Sequence, residues 1–127
     1  ISRKIRKVLF GPKFKITFSL SSTNGKYQEN AHIDQQNKLI VGLIYLDNSD
    51  TVNNGSLSFW KYKGDKLKTD KNLYIVNKDI ELIKTIRQKK NRLVLFNNNE
   101  KAIHSAKGNT KNQRRFIYFS IISSYDI

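Results

Sequence analysis

This sequence predicts an all-β fold, a sandwich or a barrel, and three features point that way. Short apolar runs with period-two alternation recur along the chain. Polar clusters rich in Asn, Gly and Lys separate them. Beyond a short basic N-terminal stretch, only one segment has spacing that lets a helix compete with a strand. At 127 residues the chain is long enough for a single core, so residues 1–127 are read as one domain. The absence of methionine and the start at Ile1 lead us to expect a piece of a longer polypeptide.

Ser2 to Phe10 is basic, with Ile5, Val8 and Leu9 on one side, as in a short helix packed on a sheet. From Lys13 to Ser21, Phe14, Ile16, Phe18 and Leu20 alternate with Lys13, Lys15, Thr17 and Ser19. A half-buried strand is expected there, its apolar side forming the buried face. Thr23-Asn24-Gly25-Lys26 follows as a turn, because Asn and Gly tolerate positive φ. Leu39 to Leu46 is nearly all apolar and fits a central strand. Asn53-Asn54-Gly55 then turns the chain into Ser56 to Tyr62, where Leu57 and Phe59 alternate with Ser56, Ser58 and Trp60. Lys78 to Lys90 supports two readings. Ile80, Leu82, Ile83 and Ile86 have roughly helical spacing with Asp79 as a cap, whereas Glu81 to Arg87 also reads as a strand closed by a tight turn at Lys89-Lys90-Asn91. Leu93 to Phe96 and Phe116 to Ile122 are two further buried strands, rich in aromatic or β-branched residues. With His32 and His104 each placed on a further strand, seven or eight strands are expected.

The chain has no cysteine, which excludes a disulfide frame and a thiolate metal site and leans the expected location toward the cytoplasm. The longest apolar stretch, Leu39 to Leu46, is far too short to span a bilayer, and the N-terminal residues lack the pattern of a signal peptide. A net charge of +14 brings nucleic acid or another polyanion into consideration. Lysine outnumbers arginine 18 to 6, and Asn, Ile, Phe and Tyr are plentiful, which is also what an AT-rich coding sequence yields. The lysines are scattered rather than gathered on one element, so nucleic acid is not the favoured partner.

Both histidines of the chain stand where a mononuclear metal site needs them. His32 and Asp34 are two residues apart, so on an extended strand they point to one face and can close on one ion. His104, after the apolar run Leu93 to Phe96, offers a third ligand from a distant strand. Two imidazoles and a carboxylate on one side of an ion, with the opposite positions open, is the arrangement of non-haem Fe(II) oxygenases. Arg114 and Arg115 follow His104; a fixed guanidinium there can anchor the far carboxylate of a dicarboxylate co-substrate.

The segments His32 to Asp47, Asn54 to Phe59 and Asn91 to Phe96, with His104 and Arg114, resemble the Fe(II)- and 2-oxoglutarate-dependent dioxygenases, in particular their prolyl 4-hydroxylase-like branch. The likeness covers about three quarters of the chain and implies a double-stranded β-helix, or jelly roll, with the metal near one open end. It implies that His32, Asp34 and His104 hold Fe(II), that Arg114 binds the distal carboxylate of 2-oxoglutarate, and that Tyr45 adds a hydroxyl donor. O2 is then the oxidant, succinate and CO2 the co-products, and ascorbate a further candidate cofactor. The substrate would be a small molecule or a peptide: peptidyl proline, an amino acid or a saccharide. Two positions depart from the family pattern. Asn54-Gly55 stands where a Gly-Gly pair is usual, and Phe116 where a small hydroxyl residue often follows the anchoring arginine by two places. Arg114 and Arg115 face opposite sides of a strand, so only one reaches the pocket; the spacing from His104 favours Arg114.

Two other classes compete with an enzyme. A non-enzymatic jelly-roll binding module for a saccharide or polyanion has no need of two His and one Asp at these positions. A basic nucleic-acid-binding barrel needs aromatics stacked on an exposed face beside lysines, and only Trp60 and Tyr62, next to Lys61 and Lys63, offer that. These are read instead as a strand edge near the site entrance.

Overall fold

A computed structural model describes residues 14–23, 25, 27–76, 79–111 and 113–123, which contain eight strands and, among the described residues, no helix. The helix expected over Ser2 to Phe10 lies outside the described residues, as do Asn24 and Lys26 of the first turn. The strands are β1 (Phe14–Thr23), β2 (Gln28–His32), β3 (Lys38–Tyr45), β4 (Leu57–Tyr62), β5 (Ile80–Ile86), β6 (Leu93–Asn97), β7 (Ile103–Lys107) and β8 (Arg114–Ser123). They form two antiparallel four-stranded sheets, ordered β1-β8-β3-β6 and β2-β7-β4-β5. Strands pair from the two ends of the chain inward: β1 with β8, β2 with β7, β3 with β6 and β4 with β5. The chain thus runs as one long hairpin wound into a sandwich, with β4 and β5 at its tip.

Within the ambiguous segment, Ile80–Ile86 form a strand, β5, paired with β4. Its Ile80, Ile83, Thr85 and Ile86 are β-branched, which disfavours a helix and suits a pleated surface. The expected tight turn follows it. Asn91 has φ 64°, and Arg92 N–H donates to the Lys89 carbonyl at 3.0 Å.

Between the sheets, Leu43, Tyr45 and Val94 of the first meet Leu57 and Ala106 of the second, ringed by Phe59, Ile86, Phe96 and Phe116. Val41, Leu43 and Tyr45 are all buried, as residues two apart on a central strand must be when one of them faces inward.

β1 departs from expectation. Its alternation is real, but the apolar residues face outward: Phe18 is 70% and Leu20 74% exposed, with Phe14 and Ile16 also open. The polar side turns inward instead, where Thr17 Oγ1 bonds Ser120 Oγ at 2.8 Å. Register explains the reversal. Phe18 pairs with Phe119 and Ile16 with Ile121, residues on the side of β8 opposite to the inward Arg114, Phe116 and Tyr118. Phe119 in turn lies over Gly42 so closely that a Cβ there would run into its ring. With exposed Leu93 and Leu95 of β6, these residues give the first sheet a broad apolar outer face. Trp60 and Tyr62 also differ from the reading as a strand edge. β4 is an inner strand between β7 and β5, and Trp60 Nε1 donates to Ser105 Oγ of β7 at 2.8 Å.

An open apolar face of this breadth is expected to bind a hydrophobic dye such as ANS and to drive association at high concentration. Replacing Phe18 and Leu20 together with Lys should abolish dye binding while circular dichroism stays unchanged. Retained dye binding would show that the apolar surface lies elsewhere.

Candidate metal centre

β2 and β7 pair so that His32 stands directly across from His104, their ring centroids 4.3 Å apart. Both rings are held the same way. His32 Nδ1 is 2.9 Å from the Asn30 carbonyl oxygen, and His104 Nδ1 is 2.9 Å from that of Ala102. A carbonyl only accepts, so each Nδ1 carries the proton and, in the neutral ring, each Nε2 keeps its lone pair for a metal.

Asp34 lies two residues beyond His32, where the chain is fixed by the Ile33 N–H bond to the Leu73 carbonyl at 3.1 Å. Its Oδ1 is 3.7 Å from His32 Nε2 and 3.9 Å from His104 Nε2. One ligand atom from each residue lies within 4.8 Å of the other two, as binding a single ion requires. The second oxygen is otherwise engaged. Tyr118 of β8 donates its hydroxyl to Asp34 Oδ2 at 3.1 Å, and Lys38 Nζ donates to the Tyr118 hydroxyl at 2.9 Å and lies 3.6 Å from Asp34 Oδ2. Asp34 is thereby oriented to present one oxygen.

The charges are matched. Burial alone would raise the Asp34 pKa, but His32, His104, Lys38 and Tyr118 together draw it down to about 2. Burial disfavours the charged form of His32, yet Asp34, the Asn30 carbonyl and Glu29 hold its pKa above the ordinary value. At His104 burial prevails, reinforced by His32, and the pKa falls. Asp34 is thus an ionised acceptor and His104 a neutral ring, the forms a metal binds.

The centre separates two recesses. A partly open recess of about 210 Å³ between the sheets is lined by His104, Arg114, Tyr118, Tyr27, Glu29 and apolar residues such as Leu57 and Phe96. An open groove of about 550 Å³ on the other side is lined by His32, Asp34, Lys38, Lys71, Leu73 and Tyr74, among others. Leu73, at φ 68°, holds a conformation that costs a non-glycine residue about 1–3 kcal/mol, here spent beside the groove.

Register decides between the two arginines. Arg114 is 2% exposed, whereas Arg115 faces solvent and forms a two-pronged pair with Asp47 at 2.6 and 2.9 Å. Arg114 Nε donates to the Gly55 carbonyl at 3.0 Å, and its guanidinium lies 4.3 Å from the Phe116 ring centre and 5.6 Å from that of Tyr45. Among the described residues no carboxylate pairs with it, although a buried cation ordinarily requires an anion. Beside it the Tyr45 hydroxyl is buried, and its proton finds no acceptor among the described residues. Burial keeps that hydroxyl protonated by raising its pKa, against the pull of Arg114.

Phe116 gives the guanidinium an aromatic face. Gly55, at φ 71°, has no room for a Cβ against the Gln88 side chain. Asn54 needs no positive φ. It serves through its side chain, which donates to Asn109 Oδ1 at 2.8 Å and accepts from Thr110 N–H at 2.8 Å.

The sequence reading passed over Glu29, Tyr27 and Tyr118. Tyr118 was recoverable, since it shares strand parity with Arg114. Glu29 was not, because a bulge in β2 changes its side. Burial and Glu29 push the Tyr27 hydroxyl up to about 12.

No family model and no curated protein matches the sequence. Among solved structures, the crystal structure of EvdMO1 is similar in fold, with 16% identity and a TM-score of 0.61 over 96% of this chain. This chain spans 30% of the EvdMO1 chain. A structure of Bacillus endospore appendages, which form a novel family of disulfide-linked pili, matches 88% of this chain and 89% of its own, at 10% identity and a TM-score of 0.44. That likeness is too slight to carry an argument.

Asp34→Ala is expected to weaken binding of a divalent metal such as Co(II) by at least about a hundredfold. Tyr118→Phe, which loosens the carboxylate without removing it, should cost roughly tenfold. Calorimetric titration of both variants checks this; equal affinity in Asp34→Ala would exclude the cluster as the metal site.

Proposed function

We propose that this domain is an Fe(II)- and 2-oxoglutarate-dependent dioxygenase that hydroxylates a small molecule or peptide, built on a double-stranded β-helix. The observation that carries the reading is the combination of a two-His, one-carboxylate cluster with a buried cation that pairs with no carboxylate among the described residues, one ligand of the cluster, His104, lining the same recess as Arg114. The pairing of β1 with β8, β2 with β7, β3 with β6 and β4 with β5 supports the jelly-roll description.

Three protein ligands fit an ion that must leave positions for a co-substrate and a gas. With Fe(II), 2-oxoglutarate and O2 bound, the centre would supply oxidation of an unactivated C–H bond, releasing succinate and CO2. The chain's own residues bind, orient and exclude water. His32, His104 and Asp34 hold the metal, with the Asn30 and Ala102 carbonyls fixing the rings and Tyr118 fixing the carboxylate. Arg114 neutralises the far carboxylate of the dicarboxylate, and the Tyr45 hydroxyl donates to it. Leu43, Leu57 and Phe96 give that recess an apolar wall, which strengthens the ion pair. The open groove by His32, Asp34, Lys38 and Lys71 is where the substrate approaches.

The full chain with Fe(II) and 2-oxoglutarate under anaerobic conditions is expected to develop a visible charge-transfer band, and admission of O2 should release succinate. Absence of both would leave a non-enzymatic binding module as the better account.

Arg114→Ala should weaken 2-oxoglutarate binding by two or more decades, since losing one partner of a desolvated charge pair costs about 3–5 kcal/mol. Arg115→Ala should leave it nearly unchanged. A 2-oxoglutarate titration of the two variants tests the clamp, and equal effects would remove it.

A further inference from the structure

One carboxylate at the centre is unused by a three-ligand site. Glu29 lies in β2 three residues before His32, and residues an odd number apart on a regular strand face opposite sides of the sheet. β2 is irregular there. Glu29 pairs with Ala106 and His32 with His104, so three steps on β2 match two on β7 and one residue is extra. The bulge brings Glu29 to the metal-facing side of His32. Its Oε1 is 3.6 Å from His32 Nε2, against 3.7 Å for Asp34 Oδ1. Donors about 2.0–2.2 Å from one ion, at angles of about 90–120°, stand roughly 3.0–3.7 Å apart. With respect to His32, Glu29 is therefore placed as well as Asp34. It stands outside the trio whose ligand atoms all lie within 4.8 Å of one another, so contact with the ion takes a side-chain rotation. Its side chain is 31% exposed and borders both the cavity and the groove, which leaves space for that movement.

We propose that Glu29 is a fourth metal ligand, which closes onto the ion while the cavity holds no anionic co-substrate and gives way when one enters. This rests on the metal reading above. A carboxylate on a flexible arm displaces water from an open position of a hard or borderline cation. A dianion bound toward Arg114 shares the small recess with Glu29, and at such short range two like charges repel one another. Tyr27, which lines the same recess and whose hydroxyl Glu29 holds in its protonated form, gives the displaced carboxylate a resting partner. Glu29 then holds the metal in the resting protein and sets how readily the co-substrate enters.

The full chain and its Glu29→Gln, Glu29→Asp and Asp34→Ala variants are titrated with Co(II) alone, following heat and visible absorption, with thermal melts to verify folding. Glu29→Gln is expected to bind Co(II) roughly tenfold more weakly, with altered band intensity. Once loaded with Co(II), it should take 2-oxoglutarate several-fold more tightly than the parent chain. Glu29→Asp keeps the charge on a shorter arm and should behave like Glu29→Gln if ligation, not charge alone, is the role. Parent-like Co(II) affinity and spectrum in Glu29→Gln, with Asp34→Ala defective, overturn the Glu29 assignment and leave the three-ligand site standing. Weaker 2-oxoglutarate binding in Glu29→Gln, or parent-like behaviour of Glu29→Asp, also overturns it. Absence of Co(II) binding by the parent chain overturns both readings together.

Discussion

The candidate centre depends on the pairing of β2 with β7. An antiparallel ladder sets directly opposed side chains a few ångströms apart, and here that position is given to His32 and His104. The extra residue on β2 lies in the same stretch and bends it toward the site, as bulges beside active sites commonly do. The edge of β2 away from β7 is covered by the segment after β4. There Tyr74 bridges His32, and Ile75 N–H donates to the Ala31 carbonyl at 2.9 Å, so the edge is closed and the ligand strand is held from both sides.

The second sheet supplies both rings, and the first supplies the buried cation and the groups that orient Asp34. Tyr118 and Arg114 both come from β8, Lys38 and Tyr45 from β3. The site therefore spans the interface between sheets, and its geometry exists only when the sandwich is closed. That arrangement has a cost in stability. Among the described residues, more polar than apolar side chains are buried, and Arg114 and Tyr45 are the largest fully buried ones. A core optimised for stability alone would replace such groups with well-packed aliphatics. Local rules broken together around one cavity, with a non-glycine residue at positive φ beside it, are the pattern of a binding site.

The first strand shows the same priorities. Its inward side is Thr17, Ser19 and Ser21, and the last two border the cavity near Arg114. Its apolar side is given to the outer face of the first sheet, continuous with Ile117, Phe119 and Ile121 of β8. Alternation specifies that one face of a strand is apolar. It does not specify whether that face meets the opposing sheet or lies on the other side, because both satisfy the same period.

Strands β1, β3, β4, β6 and β8 and the identity of the candidate ligands were legible in the sequence because they rest on local rules of period-two alternation, β-branched runs and turn residues. The bounds of β2 and β7 were not legible, and Asp34 lies past the end of β2 rather than on one extended strand with His32. The inward turn of Val41, Leu43 and Tyr45 follows from parity once one of them is placed. Lys78 to Lys90 stayed ambiguous because its apolar spacing fits either period, and pairing with β4 decided it. The approach of His104 to His32 depends on strands far apart in the chain, so only the tertiary structure could bring their imidazoles to 4.3 Å. The same holds for the inward face of Arg114, the outward face of β1 and the position of Glu29. Each is set by register between strands distant in sequence, and a shift of one residue in that register exchanges the two faces without changing any local pattern.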